Sequence, residues 1–199
     1  MDFTLPKTKK AREKFDRIIK AADQHIYLYG FEKASIANIT ASADVATGTF
    51  YLYFKDKLEL YHYLLDDYQR RIREYIKLRS IGCKTRYEKE RIGLIAWLEF
   101  INDNPHTYSI IWQSLAINKD LFVEYYKKFS ASYKRGLDKD SSQLIDIDHE
   151  DMALMLMGIS SFLGLKGMIN DELKLTQEEI EKTADQIMNA LNIGIFSNK

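Results

Sequence analysis

The chain contains few of the residues that constrain or interrupt a polypeptide. Its 199 residues include one cysteine, two prolines and nine glycines. Because Cys83 is alone, an intramolecular disulfide is excluded, so we expect a reducing compartment and a loop position for this residue. The scarcity of proline and glycine leaves long segments in which apolar residues recur with a period of 3.6. These features predict an all-α protein.

The sequence also has no cationic leader followed by an apolar core, and it has no apolar run long enough to cross a bilayer. Its most apolar run, Ala153–Leu165, is too short for a transmembrane helix and is interrupted by Gly158, Ser160 and Ser161. We therefore expect a cytoplasmic protein with no membrane partner.

Positive and negative charges balance over the whole chain but not along it. Residues 1–57 contain ten Lys or Arg and seven Asp or Glu, whereas residues 138–199 contain five and twelve. We expect the basic end to face nucleic acid and the acidic end to face away from it. A basic cluster near the start predicts a flexible arm that enters the minor groove or lies on phosphate, with a solvated tail as the alternative. This cluster consists of Lys7, Lys9, Lys10 and Arg12.

Residues 30–57 have the pattern of two short helices around a tight turn. Gly30 follows an amphipathic run and stands where a glycine ends a helix in the left-handed conformation. Ser35 is placed to cap a helix over residues 36–43. Asp44 then falls where the chain must turn sharply, and aspartate tolerates a positive φ better than most other residues.

The second of these helices combines inward aromatic residues with a face of small polar residues. Phe50 and Phe54 are expected to face the interior. Gly48 removes a side chain that would hold the helix away from a groove, and Thr49 offers a methyl group to thymine and a hydroxyl group to a base or phosphate. Because a recognition helix uses its N-terminal residues on base edges, the pattern predicts a helix that reads DNA.

This segment closely resembles the N-terminal domain of the TetR (tetracycline repressor) family. The matching elements are Gly30 with Phe31, the sequence GTFYLYF over residues 48–54, and Lys57. The resemblance covers about residues 10–60, and beyond them it is only architectural. It implies base-reading positions at Thr47, Gly48, Thr49 and Leu52, and phosphate-contacting positions at Ser35, Tyr51, Tyr53 and Lys57.

Three positions depart from the family pattern. Asp44 stands where a turn glycine is usual, Ala46 where a capping serine is common, and Ala37 where some members carry a base-reading side chain. Because Ala46 has no hydroxyl group, we expect the recognition helix to begin at Thr47 or to be looser at its start.

The resemblance also implies two domains and about nine helices. Residues 1–55 would form a three-helix helix-turn-helix DNA-binding domain, and residues 56–199 a helical domain for effector binding and dimerisation. Capping residues and breaks position the later helices. These are predicted from Asp56 to about Ser80, from Thr85 to Asn104, over residues 105–115, 121–137 and 148–170, and from Thr176 onwards.

Two C-terminal segments have the composition of a helical interface. Residues 152–169 are apolar nearly all round, and the last helix carries a stripe that includes Ile180, Ala184, Ile187, Leu191 and Ile195. Together they predict a two-fold four-helix interface, as in TetR-like homodimers, with a plain core helix as the alternative. Two identical heads ~34 to 36 Å apart would read a near-palindromic sequence.

The middle of the chain is rich in large amphipathic side chains, as ligand pockets usually are. The family resemblance implies an inducer cavity here, although most of these aromatics are expected to be core residues. No charge pattern identifies the effector, and we expect a small hydrophobic or aromatic molecule. The expected lining residues are Trp97, Tyr108, Trp112, Tyr126 and Met155.

The sequence thus predicts a ligand-responsive regulator that binds double-stranded DNA as a homodimer, with repression as the family default. We expect no cofactor, no catalytic residue and no metal ligand. A ligand-independent architectural or nucleoid-associated DNA-binding protein is the alternative. An enzyme of the helical di-metal carboxylate class is a further alternative, because Glu59 and His62 have Glu-x-x-His spacing, but a second copy of this motif is missing.

Overall fold

A computed structural model describes residue 3, residues 5–169 and residues 174–194, and all regular structure in this part of the chain is α-helical. This confirms the predicted all-α fold of about nine helices. The helices are α1 Lys9–Lys33, α2 Ile36–Ser42, α3 Thr47–Phe50, α4 Lys57–Arg79, α5 Arg86–Asp103, α6 Pro105–Ile117, α7 Lys119–Lys139, α8 His149–Ile169 and α9 Gln177–Gly194. Asn170, the predicted end of α8, and Ile195, the last residue of the stripe predicted for α9, lie outside the described residues.

The chain divides into two compact units. The first comprises residues 1–68 and 106–125, and the second comprises residues 69–105 and 126–199. The chain therefore passes from one unit to the other three times: within α4, at the start of α6 and within α7. The helix-turn-helix segment lies entirely in the first unit.

Helix α1 is amphipathic and supplies a fully buried stripe to the first unit. Phe15, Ile18, Ala22 and Ile26 are at most 1% exposed and recur at helical spacing. Gly30 has the positive φ expected from the sequence, at 76°, but it interrupts the helix and does not end it. The helix resumes for a further turn to Lys33, so Gly30 is a kink within α1.

An aromatic cluster joins α1 to the end of α3 and the beginning of α4. The ring of Phe15 lies 5.1 Å from Tyr53, 5.6 Å from Phe54 and 5.1 Å from Tyr63, measured between centroids. Phe50 lies 5.5 Å from Phe54. Each such pair contributes about 0.5–1.5 kcal/mol beyond the area it buries. The inward placement of Phe50 and Phe54 is as the sequence predicted, and it leaves the opposite side of α3 facing outward.

In the second unit, local signals set the bounds of α5. The Thr85 hydroxyl accepts the Glu88 N–H, and the Glu88 carboxylate accepts the Thr85 N–H, which is the capping box expected from the sequence. The helix ends at Asp103, just before Pro105 begins α6. A residue before proline is disfavoured in the helical conformation, so the junction falls where the sequence placed it.

A buried ionic group lies beside the apolar core of the second unit. Arg86 and Glu90 are 6% and 7% exposed and form an ion pair, and Tyr133 donates its hydroxyl to the same carboxylate. Burial, followed by the charge of Glu90, raises the pKa of Tyr133 well above its ordinary value. The adjacent core consists of Leu137, Met152, Ala153, Leu156 and Met188.

Helix α8 has both a buried side and an exposed apolar side. Met152 and Ala153 are fully buried, whereas Leu154, Met155 and Phe162 are 50%, 37% and 69% exposed. Met155 and Phe162 are seven residues apart and therefore share a face of the helix. No helix among the described residues combines the length and the apolarity that crossing a bilayer requires.

Candidate nucleic-acid interface

Helices α2 and α3 are joined by a turn that contains no glycine. The Ser35 hydroxyl accepts the N–H of Asn38 at 3.1 Å and caps α2. Asp44 has a φ of 50°, in the left-handed region, and its N–H donates to the carbonyl of Ala41 at 3.1 Å. Its carboxylate lies 3.1 Å from the guanidinium group of Arg17 on α1. Aspartate therefore adopts the conformation that glycine usually supplies at this turn.

The recognition helix begins at Thr47, with Ala46 as its N-cap and no side-chain hydrogen bond at that cap. The N–H of Thr49 donates instead to the carbonyl of Ala46 at 2.8 Å. The regular helix ends at Phe50, and residues 51–53 continue as a turn. The helix is therefore short, and the aromatic cluster behind it anchors its position.

Thr40 links the two helices, a role that the sequence analysis did not identify. It is 1% exposed, and its hydroxyl lies 2.9 Å from the carbonyl of Ile36 and 3.2 Å from the hydroxyl of Thr47. Thr40 can donate to that carbonyl while it accepts from Thr47. A threonine inside a helix commonly bonds to its own preceding turn, so the sequence held no signal for the second bond.

The residues predicted to read bases lie together on the outward side of α3 and the turn after it. Thr47 and Gly48 are exposed, Leu52 is 68% exposed, and Thr49 is half-buried. No protein atom lies within 4 Å of the position that a Cβ would occupy at Gly48. Gly48 is therefore not required for packing within the protein, and it leaves room for close approach from outside.

Two of the residues predicted to contact phosphate, Tyr53 and Lys57, also form bonds within the protein. The Tyr53 hydroxyl donates to the carbonyl of Ala11 at 3.2 Å. The Lys57 ammonium group donates to the carbonyls of Phe31 and Glu32 at 2.5 Å and 3.2 Å. It also lies 4.3 Å from the centroid of the Phe31 ring. Both side chains thus attach the segment after α3 to α1.

The other two predicted phosphate contacts differ in their surroundings. Tyr51 is 54% exposed, and its ring lies 5.3 Å from the buried ring of Phe50. Ser35 is exposed, but its hydroxyl group already accepts the capping bond at the start of α2. A serine hydroxyl can accept one bond and donate another, so this cap leaves its proton available.

The basic cluster at the start of the chain is mostly helical, which corrects the expectation of a flexible arm. The Thr8 hydroxyl accepts the N–H of Ala11 at 3.2 Å, and α1 begins at Lys9. Lys9, Lys10 and Arg12 therefore lie near the start of α1, whose first turn contains no acidic residue. Cations at a helix N-terminus are unfavourable with respect to the helix dipole, and a bound anion relieves that cost.

The family model described as "Bacterial regulatory proteins, tetR family" matches residues 18–64, from within α1 to the first turns of α4. Over these residues, the chain is similar to the TetR family. The match includes the turn at Asp44 and every predicted DNA-contacting residue. It confirms the resemblance to this family over these residues and the N-terminal helix-turn-helix that the sequence predicted.

Two known proteins are similar to longer parts of the chain. The fatty acid metabolism regulator protein of Bacillus subtilis (strain 168) is 30% identical over 110 residues, which are 53% of this chain and 54% of that protein. The chain thus spans about half the length of this relative. An uncharacterized HTH-type transcriptional regulator of the same organism, YdgC, is 24% identical over 77% of this chain and 80% of its own.

A solved structure extends the likeness to nearly the whole chain. The fatty acid degradation regulator FadR from Bacillus halodurans superposes with a TM-score of 0.76 and covers 92% of this chain and 96% of its own. Its sequence identity is 21%, so this likeness supports the fold alone.

The five residues predicted to line an effector cavity are divided between the two units. Tyr108 and Trp112 lie one turn apart on α6 in the first unit, with ring centroids 6.2 Å apart in an edge-to-face arrangement. Trp112 also lies 6.4 Å from Phe122 of α7. Tyr108 is only 3% exposed. The structure therefore brings these two residues together within one aromatic group.

The other three predicted residues, Trp97, Tyr126 and Met155, lie in the second unit. The Trp97 indole N–H donates to the carbonyl of Ser160 at 2.9 Å. Burial raises the pKa of Tyr126, and a hydrogen bond with Ser161 offsets part of that shift. Both aromatics are thus associated with α8, whereas Met155 lies on the exposed side of that helix.

Glu59 and His62, the two residues of the Glu-x-x-His motif on α4, have partners other than a metal ion in this structure. The Glu59 carboxylate accepts the N–H of Lys55 at 2.6 Å, close to the start of the helix. The His62 Nε2 lies 3.5 Å from a carboxylate oxygen of Glu124 and 3.9 Å from one of Asp66. Within residues 5–169 and 174–194, no three His, Cys, Asp or Glu side chains are grouped so that they could hold a metal ion.

Proposed function

We propose that this TetR-family chain is a transcriptional repressor that binds a near-palindromic operator as a homodimer and is released by a small hydrophobic or aromatic effector. One observation supports the DNA-binding part of this proposal. The outward side of α3 and of the turn after it presents Thr47, Gly48 and Leu52. The buried rings of Phe50 and Phe54 anchor this segment from the inner side. Small polar residues on a firmly anchored short helix suit close approach to base edges in a major groove.

We assign the residues of this interface to two roles. Thr47, Gly48, Thr49 and Leu52 would approach base edges and so determine sequence preference. The remaining residues would contact phosphates and fix the register on the duplex without reading sequence. These are Ser35, Tyr51, Tyr53 and Lys57.

The hydrogen-bond donors that Lys57 and Tyr51 can offer to phosphate support this division. The ammonium group of Lys57 has three N–H donors, and the carbonyls of Phe31 and Glu32 accept two of them. One donor remains for a phosphate oxygen. Tyr51 is more than half exposed and can donate its hydroxyl to phosphate.

We further propose that residues 1–55 act as the DNA-binding domain and residues 56–199 as the domain for effector binding and dimerisation. The exposed apolar side of α8, with Leu154 and Phe162, supports a helical interface with a second copy of the chain. The aromatic group around Trp112 in the first unit and the one around Trp97 in the second each supply side chains of the kind that bind an apolar ligand.

Two of the relatives described above carry names that refer to fatty acid metabolism or degradation. The specific form of the proposal is therefore that the operator lies beside genes of fatty acid metabolism. A hydrophobic effector would suit the aromatic composition of both units. When an effector and operator DNA bind different conformers, each lowers the affinity of the protein for the other by the same factor. The effector must therefore bind more weakly when operator is bound.

Selection of genomic fragments by the purified protein, followed by titration of the best fragment at two salt concentrations, tests the proposal. We expect a short near-palindrome whose half-sites are about 10–10.5 base pairs apart, or a multiple of that spacing. Broad binding without an enriched site would instead support a ligand-independent architectural protein. A thermal-shift screen with fatty acids and aromatic compounds, repeated with operator present, tests the effector part.

A further inference from the structure

One carboxylate in the first unit holds three helices together. The Asp23 side chain of α1 accepts the hydroxyl of Tyr68 on α4 with one oxygen. Its other oxygen lies 2.9 Å from Nε2 of His106 on α6. Tyr68 is 1% exposed, and the Asp23 side chain is 17% exposed, so these bonds are largely shielded from water. We refer to Asp23, Tyr68 and His106 as the Asp23 node.

The positions of these residues along the chain give the node its significance. Tyr68 is the last residue of the first unit before α4 continues into the second, and His106 is the residue at which the chain returns. Two of the three chain crossings between the units therefore end on side chains bonded to Asp23. Asp23 therefore connects α1 directly to both of these crossings.

Helix α1 in turn carries the recognition element. Phe15 packs against Tyr53 and Phe54, which follow α3, and Arg17 pairs with Asp44 in the turn before it. Apolar packing of this kind is non-directional and tolerates small sliding. The hydrogen bond from Tyr68 is directional, and the 2.9 Å contact with His106 holds the other oxygen, so together they fix the position of α1 along α4 and α6 in a way that packing does not.

We propose that Asp23 is a positioning residue for operator binding, which sets the orientation of the recognition head through Tyr68 and His106. This inference rests on the function proposed above, because only a protein that reads a defined operator depends on head orientation. Contacts with phosphate alone are less demanding, since they carry no sequence information. The Asp23 node should therefore affect the preference for operator over random DNA more than it affects the affinity for random DNA.

The test compares variants of the full chain on two duplexes of equal length, the operator fragment selected with wild-type protein and a random sequence. The variants are Asp23→Asn, Tyr68→Phe, His106→Leu and His106→Gln. Asp16→Asn is the matched control, because it removes the same charge from an exposed position of α1. Thermal midpoints are measured alongside the affinities, so that loss of folding is recognised.

We expect Asp23→Asn and Tyr68→Phe to lower the operator preference at least about fivefold, the lower end of a typical coupling between sites, with random-sequence affinity nearly unchanged. His106→Leu should lower it similarly. His106→Gln should restore much of the loss, because a carboxamide N–H can still donate to Asp23. Tyr68→Phe combined with His106→Leu should cost less than the sum of the two, because both act through one carboxylate.

An operator preference that stays within twofold of wild type in both Asp23→Asn and Tyr68→Phe would overturn the inference. So would parallel losses on both duplexes that follow the thermal midpoint, since these would indicate a purely structural role. If Asp23→Asn does not fold, Tyr68→Phe, which leaves the carboxylate in place, decides the matter. A wild-type protein with no preference for any fragment would instead refute the proposed function itself.

Discussion

At Lys57, one ammonium group is placed for two tasks. It donates to the two carbonyls at the end of α1, and it occupies a position that the family resemblance assigns to phosphate contact. Tyr53 is in the same situation, since its hydroxyl donates to Ala11. A loss of affinity on substitution would therefore not identify a DNA contact. Salt dependence would, because only a lost phosphate contact reduces the number of counterions released.

We expect Lys57→Met to make operator binding less dependent on salt. Each phosphate contact contributes about 0.9 to the slope of log affinity against log salt concentration, so a dimer should lose roughly 1.8. Titration over a series of salt concentrations measures this slope. Lys119→Met, which removes an exposed lysine at the start of α7, should leave it unchanged. Weaker binding with the wild-type slope would mean that Lys57 only holds the end of α1.

Asp44 supplies a second residue-scale prediction, because its φ of 50° is unfavourable for most side chains. Asp44→Val should lower the free energy of unfolding by about 1–2 kcal/mol, since a β-branched residue is strained in the left-handed region. Asp44→Asn should change it by less than about 0.5 kcal/mol, because asparagine tolerates this conformation. Urea denaturation measures both. Equal stabilities of the two variants would show that this turn relaxes without cost.

At the scale of a single helix, α5 shows how local signals define an element. The capping box of Thr85 and Glu88 begins it, and Pro105 follows its end. Each of these devices acts within four residues of the helix terminus, so neither depends on what the helix packs against. Replacement of such an N-cap typically costs about 1 kcal/mol. The bounds of the helix are therefore set by local signals.

The same cap should make stability depend on pH. The Glu88 carboxylate accepts the N–H groups of Lys84 and Thr85 at 2.7 Å and 3.3 Å, which lowers its pKa below the ordinary value of 4.5. A lowered folded pKa stabilises the native state above the unfolded pKa, and this contribution is lost as the pH falls through the folded pKa. The Glu88→Gln variant has no carboxylate at this position, so its stability lacks this pH-dependent contribution.

We therefore expect wild-type protein to be more stable than Glu88→Gln at pH 7, with a difference that shrinks as the pH falls below 4.5. Urea denaturation at a series of pH values measures the difference. Glu13→Gln, at an exposed position of α1, serves as the control. A difference that is constant with pH would contradict the assigned role of the carboxylate.

For the molecule as a whole, the least favourable feature of a single chain is the apolar side of α8 that it leaves in water. Leu154 and Phe162 are 50% and 69% exposed, although the same helix is buried on its other side at Met152 and Ala153. Burying one large apolar side chain contributes about 1.5–3 kcal/mol, and a two-fold interface buries each such residue twice. A homodimer through this face would therefore gain substantially from the residues that a single chain leaves in water.

We expect Phe162→Lys to shift the protein from dimer to monomer and to weaken operator binding, because a lone head makes only half of the contacts. Sedimentation equilibrium and operator titration measure the two effects. Leu78→Lys is the matched control, since Leu78 is 66% exposed on α4 and lies outside this face. A Phe162→Lys protein that remains dimeric would show that α8 does not form the interface.

Several features of this protein follow from short stretches of sequence. The helical class, the cap of α5, the junction at Pro105 and the tight turn at Asp44 each depend on residues within about one helical turn. The pattern around Gly48 likewise carried the resemblance to the TetR family, because its spacing is local. Such signals need no knowledge of packing, which is why the predicted helix bounds differ from the observed ones by only a few residues.

Other features depend on residues that are distant in the sequence. Asp23 meets Tyr68 across 45 positions, and Lys57 meets the carbonyl of Phe31 across 26. Periodicity shows that a helix has a buried side but not which helix covers it, since apolar burial is non-directional. For the same reason the sequence did not show which residues of α8 remain exposed, or that Trp97 and Trp112 belong to different units. Those pairings exist only after the helices have packed.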